Sequence, residues 1–270
     1  MDVQVKDVKK EEPWNTMFAD DVVLCKHSID RLEEKLEDWR KELGERGMKI
    51  SGTKSEYLAL KHVQMRSCKI QDDELKSVCK FKYLRSHIQR DGGLESEIQH
   101  RINCGWNNWR KMSGVLCDKK VRIGLKGKVF KSVVRPAMIY GVETWPITVA
   151  QERKMEVAEM RMLRWMCGVT RKYRIRNEFV RGAVKVGPMG KKIQESRLKW
   201  YGHLRKKGEE YIGNRVEDIK IEGARRRGRP KRRWKDKMSG DLREKGWKKE
   251  ETMDRELWRR RIQKSNANPT

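Results

Sequence analysis

Thr16-Met17-Phe18-Ala19-Asp20-Asp21-Val22-Val23-Leu24-Cys25 sets an acidic pair between two short apolar runs, with no basic residue among them. The pattern reads as strand, tight turn, strand, and it presents both carboxylates at the tip. Adjacent carboxylates repel, so a fold tolerates them most readily where a divalent cation or solvent takes up the charge. Hard oxygen donors at a hairpin tip suit Mg²⁺ carrying phosphates; an ordinary acidic turn is the competing reading. The chain supplies its own comparison. Asp72-Asp73 lies in Lys69-Ile70-Gln71-Asp72-Asp73-Glu74-Leu75-Lys76, without apolar strands on both sides, and reads as a solvated turn.

Composition narrows the class of partner. Of 270 residues, 36% are hydrophobic and 39% charged, so the core is expected to be thin for the length. A formal charge of +27 exceeds what solubility requires and implies a polyanionic partner, nucleic acid before an anionic membrane. No apolar run approaches the ~18 residues of a spanning helix, and the N-terminus carries no apolar signal segment. The expectation is a soluble intracellular protein, nuclear or cytoplasmic. The six cysteines, Cys25, Cys68, Cys79, Cys104, Cys117 and Cys167, include no Cys-x-x-Cys and read as reduced core thiols. His100 and Cys104 share a helix face at i, i+4, but two ligands alone make no zinc site.

Along the chain, residues 1 to 13 are polar and charged. Ser28 caps a helix whose apolar stripe is Ile29, Leu32, Leu36, Trp39 and Leu43, ending at Gly44 or Gly47 and packing beneath the hairpin. Met48 to Ile50, Tyr57 to Leu60 and Phe81 to Ile88 are short strand candidates. At Asp91-Gly92-Gly93 the period changes. Leu94, Ile98, Ile102, Gly105, Trp109, Met112 and Leu116 then follow the helical repeat. A second helix carries Val121, Leu125, Val129, Phe130 and Val133, and Pro136 is expected to end or kink it. Thr148 to Gln151 forms a capping box for a third helix bearing Met155, Ala158, Met162 and Trp165. Beyond Gly168 the pattern loosens, and Ile193, Trp200 and Leu204 make only a narrow stripe among basic residues. The fold class is therefore α+β.

The motifs add a resemblance. Phe18-Ala19-Asp20-Asp21 resembles the metal-binding hairpin of non-LTR retrotransposon reverse transcriptases. Trp39 followed by Gly47-Met48-Lys49-Ile50-Ser51-Gly52-Thr53-Lys54-Ser55-Glu56-Tyr57 resembles the next palm motif, and Phe81-Lys82-Tyr83-Leu84-Arg85-Ser86 resembles the primer-grip hairpin. Arg135-Pro136-Ala137-Met138-Ile139-Tyr140-Gly141-Val142-Glu143-Thr144-Trp145, Leu198-Lys199-Trp200-Tyr201-Gly202-His203 and Arg227-Gly228-Arg229-Pro230-Lys231-Arg232-Arg233-Trp234 resemble the thumb and C-terminal region of the RTE-like branch. The resemblance implies a partial polymerase palm in 1–91, a helical thumb in 92–168, a basic helical connector in 169–222, and a basic arm with C-terminal helices in 223–270. It implies Mg²⁺ held by Asp20 and Asp21, with Lys54 neutralising charge or delivering a proton at the triphosphate. Tyr83, Leu84 and Arg85 match the primer grip, although the family has glycine where this chain has Arg85. The implied partners are an RNA or DNA template-primer, dNTP as the small molecule, and an N-terminal polymerase segment. The family holds its two ions with a third aspartate from an earlier strand. Asp2 and Asp7 lie in a charged lead without strand pattern, so the isolated chain is expected not to polymerise.

The densest charge, Ala224-Arg225-Arg226-Arg227-Gly228-Arg229-Pro230-Lys231-Arg232-Arg233 followed by Trp234, is the candidate nucleic-acid contact: Arg225, Arg226, Arg227, Arg229, Lys231, Arg232, Arg233 and Trp234. Trp200 and Trp234 among basic residues favour contact through base stacking. Two other readings stay open. Arg227-Gly228-Arg229-Pro230 resembles the core of an AT-hook, which lies in a narrow A·T minor groove, and would make the chain a non-catalytic DNA-binding protein. The run also suits a nuclear-import tag or a solvated linker.

Overall fold

The computed structural model describes residues 15–60, 66–71, 73–218 and 232–267. These form two compact units that divide between Ser96 and Glu97.

The first unit begins with an antiparallel hairpin, β1 (Asn15–Phe18) and β2 (Asp21–Leu24), in which Phe18 pairs with Asp21 and Met17 with Val22 across the two-residue connection Ala19-Asp20. Alternation along the strands turns Met17, Val22 and Leu24 to one face. There they meet the buried Trp39 of α1 (Ile29–Glu45), together with Leu43 and Ile50. The Ser28 hydroxyl accepts from the Arg31 N–H, satisfying one of the helix's orphan donors. The N-terminal half of the same stripe presents Ile29, Leu32 and Leu36 to a second small core of Tyr57, Ala59, Cys68, Ile70 and Leu75.

The remaining strands are short. β3 (Glu56–Tyr57) runs parallel to β6 (Lys76–Ser77); β4 (Lys69–Ile70) pairs with β5 (Asp73–Glu74), and β7 (Lys80–Tyr83) with β8 (Ser86–Gln89). Among the described residues every sheet has two strands, so these segments do not join into one sheet. Met48 to Ile50, expected as a strand, is irregular. The Met48 N–H donates to the Leu43 carbonyl at the end of α1 at 2.9 Å, and Ile50 fills the gap between the two cores. Of Tyr57 to Leu60, only Tyr57 is paired. Asp72 lies outside the described residues; Asp73, expected in a solvated turn, is an exposed strand residue paired with Ile70.

The second unit is helical. It runs from α2 (Glu95–Lys111) and α3 (Ser113–Leu116) to α4 (Ile123–Val129), which passes through a π turn at Phe130–Val134 into α5 (Arg135–Met138). Pro136 lacks the N–H an α-helix needs, and the chain meets this with the wider turn, in which the Arg135 N–H donates to the Phe130 carbonyl. Then follow α6 (Val149–Met166), α7 (Asn177–Val184), α8 (Met189–Arg205), α9 (Ile212–Asp218), α10 (Trp234–Lys245) and α11 (Arg255–Ala267). In the Thr148 capping box the Gln151 N–H donates to the Thr148 hydroxyl at 3.3 Å, and the Thr148 N–H donates to the Gln151 side chain at 3.0 Å.

Met155, Ala158 and Met162 of α6 are buried as expected, but Trp165 is 61% exposed, and Met166 takes the core position one residue on. The region beyond Gly168, where the sequence pattern loosens, contains a core of Leu198, Tyr201, Met238, Leu242, Trp258 and Ile262 drawn from α8, α10 and α11. Gly202 is the close approach that permits it: a Cβ there would lie 2.4 Å from the Trp258 indole nitrogen, which donates to the Leu198 carbonyl at 3.0 Å. Among the described residues the buried carboxylates are paired. Glu159 (0% exposed) holds Arg135 and Arg181 at 2.7 Å each, and Arg197 donates to Asp241 at 2.7 Å.

Candidate metal and nucleic-acid sites

At the hairpin tip Ala19 takes φ +53°, the left-handed region that favours glycine. This conformation closes the two-residue turn and leaves Asp20 and Asp21 exposed. Asp21 belongs to the strand face turned away from Trp39, since its neighbour Val22 faces the core. Two solvated carboxylates give an octahedral Mg²⁺ two protein ligands, a weak and largely hydrated mode of binding. Among the described residues no group of three or more His, Cys, Asp or Glu side chains could hold a metal ion. The described residues therefore do not fit a two-ion centre.

Lys54 is exposed in the turn 51–55, where its N–H donates to the Ser51 carbonyl at 3.2 Å, and no ion pair joins it to Asp20 or Asp21. Tyr83 ends β7 and pairs with Ser86. Leu84 and Arg85 form the turn between them with φ +46° and +68°, the mirror-image hairpin turn in which glycine or asparagine is favoured. The carboxylate pair, Lys54 and the primer-grip match thus stand at three separate turns of the same unit. His100 and Cys104 meet on α2 at 3.5 Å.

Of the basic arm, Arg225, Arg226, Arg227, Arg229 and Lys231 lie outside the described residues, and so does the hook-like Arg227-Gly228-Arg229-Pro230. Arg232 and Arg233 are exposed at the entry to α10. Trp234 is half-buried, its indole N–H donating to the Glu143 carbonyl at 2.7 Å and its ring 6.3 Å from Tyr201. Trp200 stacks on His203 at 5.3 Å. Trp234 therefore ties α10 to the turn at Val142–Thr144. What sequence reasoning passed over is a set of exposed aromatics, Trp165, Tyr173 and Phe179, within one basic stretch. The signal was Arg171-Lys172-Tyr173-Arg174-Ile175-Arg176, in which an aromatic and an aliphatic residue interrupt the cations. No described helix is long and apolar enough to cross a membrane.

No protein-family model matches the chain, and no solved structure matches it. It is similar to a Caenorhabditis elegans protein whose name calls it transposon-derived and uncharacterized: 25% of residues are identical over 240 positions, which cover 84% of this chain and 85% of that protein.

Proposed function

We propose that this chain is a nucleic-acid-binding protein whose ancestry is the reverse transcriptase of a non-LTR, RTE-like retrotransposon. In this reading the first unit corresponds to part of an α+β polymerase palm, the helices after Gly93 to the thumb, and the basic C-terminal region to its extension. The observation that carries it is the hairpin with Asp20 and Asp21 exposed at its tip, which supports a turn of the kind the resemblance implies. The transposon-derived name of the C. elegans relative supports the element of origin, and the charge of +27 supports a polyanionic partner. RNA and DNA, as a template-primer or either strand alone, are the partners assigned. Mg²⁺ at Asp20 and Asp21 would be a single, mostly hydrated ion, so no catalytic step is assigned to it. Lys54 and the Tyr83-Leu84-Arg85 turn are carried as backbone-contacting positions.

Fluorescence anisotropy tests the reading with a labelled RNA–DNA hybrid and the purified full chain. Binding is expected at 50 mM salt and should weaken by orders of magnitude at 200 mM, as for a protein neutralising ~6 or more phosphates. Absence of binding at low salt would sink it.

A further inference from the structure

The aromatics Trp165, Tyr173 and Phe179 are 61%, 65% and 71% exposed, although each lies in or beside well-packed helices. The Trp165 ring is held without being covered: Trp109, itself buried, stands 5.1 Å away at 44°, and Trp106 meets it edge-on at 6.3 Å. A ring fixed from behind loses little further freedom when something stacks on its open face.

The chain then turns back on itself at Gly168 (φ +67°). The Gly168 and Val169 N–H groups donate to the carbonyls of Trp165 and Arg164, each at 2.9 Å. Arg164, next to Trp165, donates to the Ile175 carbonyl at 2.6 Å and to the Asn177 side chain at 2.9 Å. These bonds fasten the segment carrying Tyr173, and the start of α7 carrying Phe179, to the last turn of α6. Arg161 lies one turn before Trp165 on the same helix surface. Arg161, Arg171, Lys172, Arg174 and Arg176 are all exposed, and none has a salt-bridge partner among the described residues. Between residues 160 and 180 the sole carboxylate is Glu178.

We infer that Trp165, Tyr173 and Phe179, with these cations, form a stacking surface for single-stranded nucleic acid. The inference rests on the nucleic-acid part of the function proposed above and needs nothing of its polymerase ancestry. A protein partner or a second copy of this strongly basic chain would have to cover five unpaired cations against one carboxylate. A phosphodiester strand supplies the missing anions at regular spacing, and its unpaired bases supply flat faces for the rings. In a duplex those faces are stacked on each other and closed to the surface.

The test uses the full chain and fluorescein-labelled (dT)12, (rU)12 and a 12-base-pair duplex, read by anisotropy. Wild type should prefer the single strands. Trp165→Ala with Tyr173→Ala should weaken single-strand binding by at least about tenfold while duplex binding changes by less than about twofold. Trp165→Phe, which keeps a ring, should retain most of the affinity, and Arg171→Gln with Arg174→Gln should lower the salt dependence. Tyr173→Ala alone, at an exposed turn position, guards against loss of fold and should still cost single-strand affinity. Wild-type binding to neither strand nor duplex overturns this inference and the reading it rests on. Unchanged single-strand affinity in the double variant, or binding to phosphatidylserine vesicles in place of oligonucleotide, overturns the inference.

Discussion

Arg85 holds φ +68° beside Leu84 at +46°. Each L-residue in this region pays roughly 1–2 kcal/mol for the approach of Cβ to its own carbonyl. Glycine pays nothing there but carries more entropy into the unfolded chain, about 0.5–1 kcal/mol. The first magnitude is the larger, so Arg85→Gly should stabilise the protein by about 0.5 kcal/mol, read as a higher urea midpoint at unchanged slope. A lower midpoint would show that contacts of the Arg85 side chain outweigh the strain. Ala19 is strained in the same sense at the tip that carries Asp20 and Asp21, and strain retained at a turn is a reason to look for function there. Cys68 shows burial acting on chemistry. Enclosed among Tyr57, Ile70 and Leu75, its thiol is pushed from 9.0 up to about 11, first by loss of solvent and then by Glu33. Because the folded value is the higher, this stabilisation is complete below pH 9 and is lost as pH rises through about 11. Iodoacetamide at pH 8 should modify the exposed Cys79 and Cys117 and spare Cys68 until denaturant is added. Early labelling of Cys68, read by peptide mass spectrometry, would mean that this core opens readily.

Helix packing in the second unit depends on two glycines where backbones or rings touch. A Cβ on Gly127 of α4 would lie 1.8 Å from the Val184 carbonyl oxygen at the end of α7, and backbone cannot turn aside as a side chain can. Gly202→Ala meets the Trp258 indole, which can move only by giving up its bond to Leu198. Gly127→Ala should therefore destabilise by more than Gly202→Ala, the latter costing about 1–3 kcal/mol; equal effects in calorimetry would contradict the rigidity assigned to α4 and α7. Glu159→Gln leaves Arg135 and Arg181 with an uncharged partner in a dry site and should cost about 3 kcal/mol or more. What the sequence disclosed of these elements was local. Ser28, and Thr148 with Gln151, signal helix starts within four residues, and the α1 stripe repeats over about four turns. The α8–α10–α11 core joins Leu198 to Trp258, sixty residues apart, and its α8 positions are diluted by arginines and lysines, so periodicity there looked weak. Leu198-Lys199-Trp200-Tyr201-Gly202-His203 was legible as a motif, but its reason, an indole crossing a glycine, is a tertiary fact. Trp165 failed differently: one residue of helical drift separates it from the buried Met166, and hydrophobicity alone favoured the larger ring.

For the whole molecule the deciding quantity is charge. At +27 each phosphate contact releases a counterion, and a duplex-binding surface loses about 0.9 in the log–log salt slope per contact removed. Replacing Arg225, Arg226, Arg227 and Arg229 with glutamine should flatten that slope by up to about 3 to 4 if all four touch phosphates; an unchanged slope would move the contacts to other basic surfaces. Affinity, however, is not catalysis. In-line transfer of a nucleotide needs two ions placed against the primer hydroxyl and the leaving pyrophosphate, with their geometry held to fractions of an ångström. Asp20 and Asp21 are exposed on a two-stranded hairpin, and the described residues bring no third ligand to them. The chain should accordingly bind a template-primer without extending it. A primer-extension assay with purified protein, Mg²⁺, an RNA template and dNTPs decides this. Product above background that vanishes in Asp20→Ala/Asp21→Ala would show polymerase activity, and would require the third metal ligand to come from another part of the chain or from a partner.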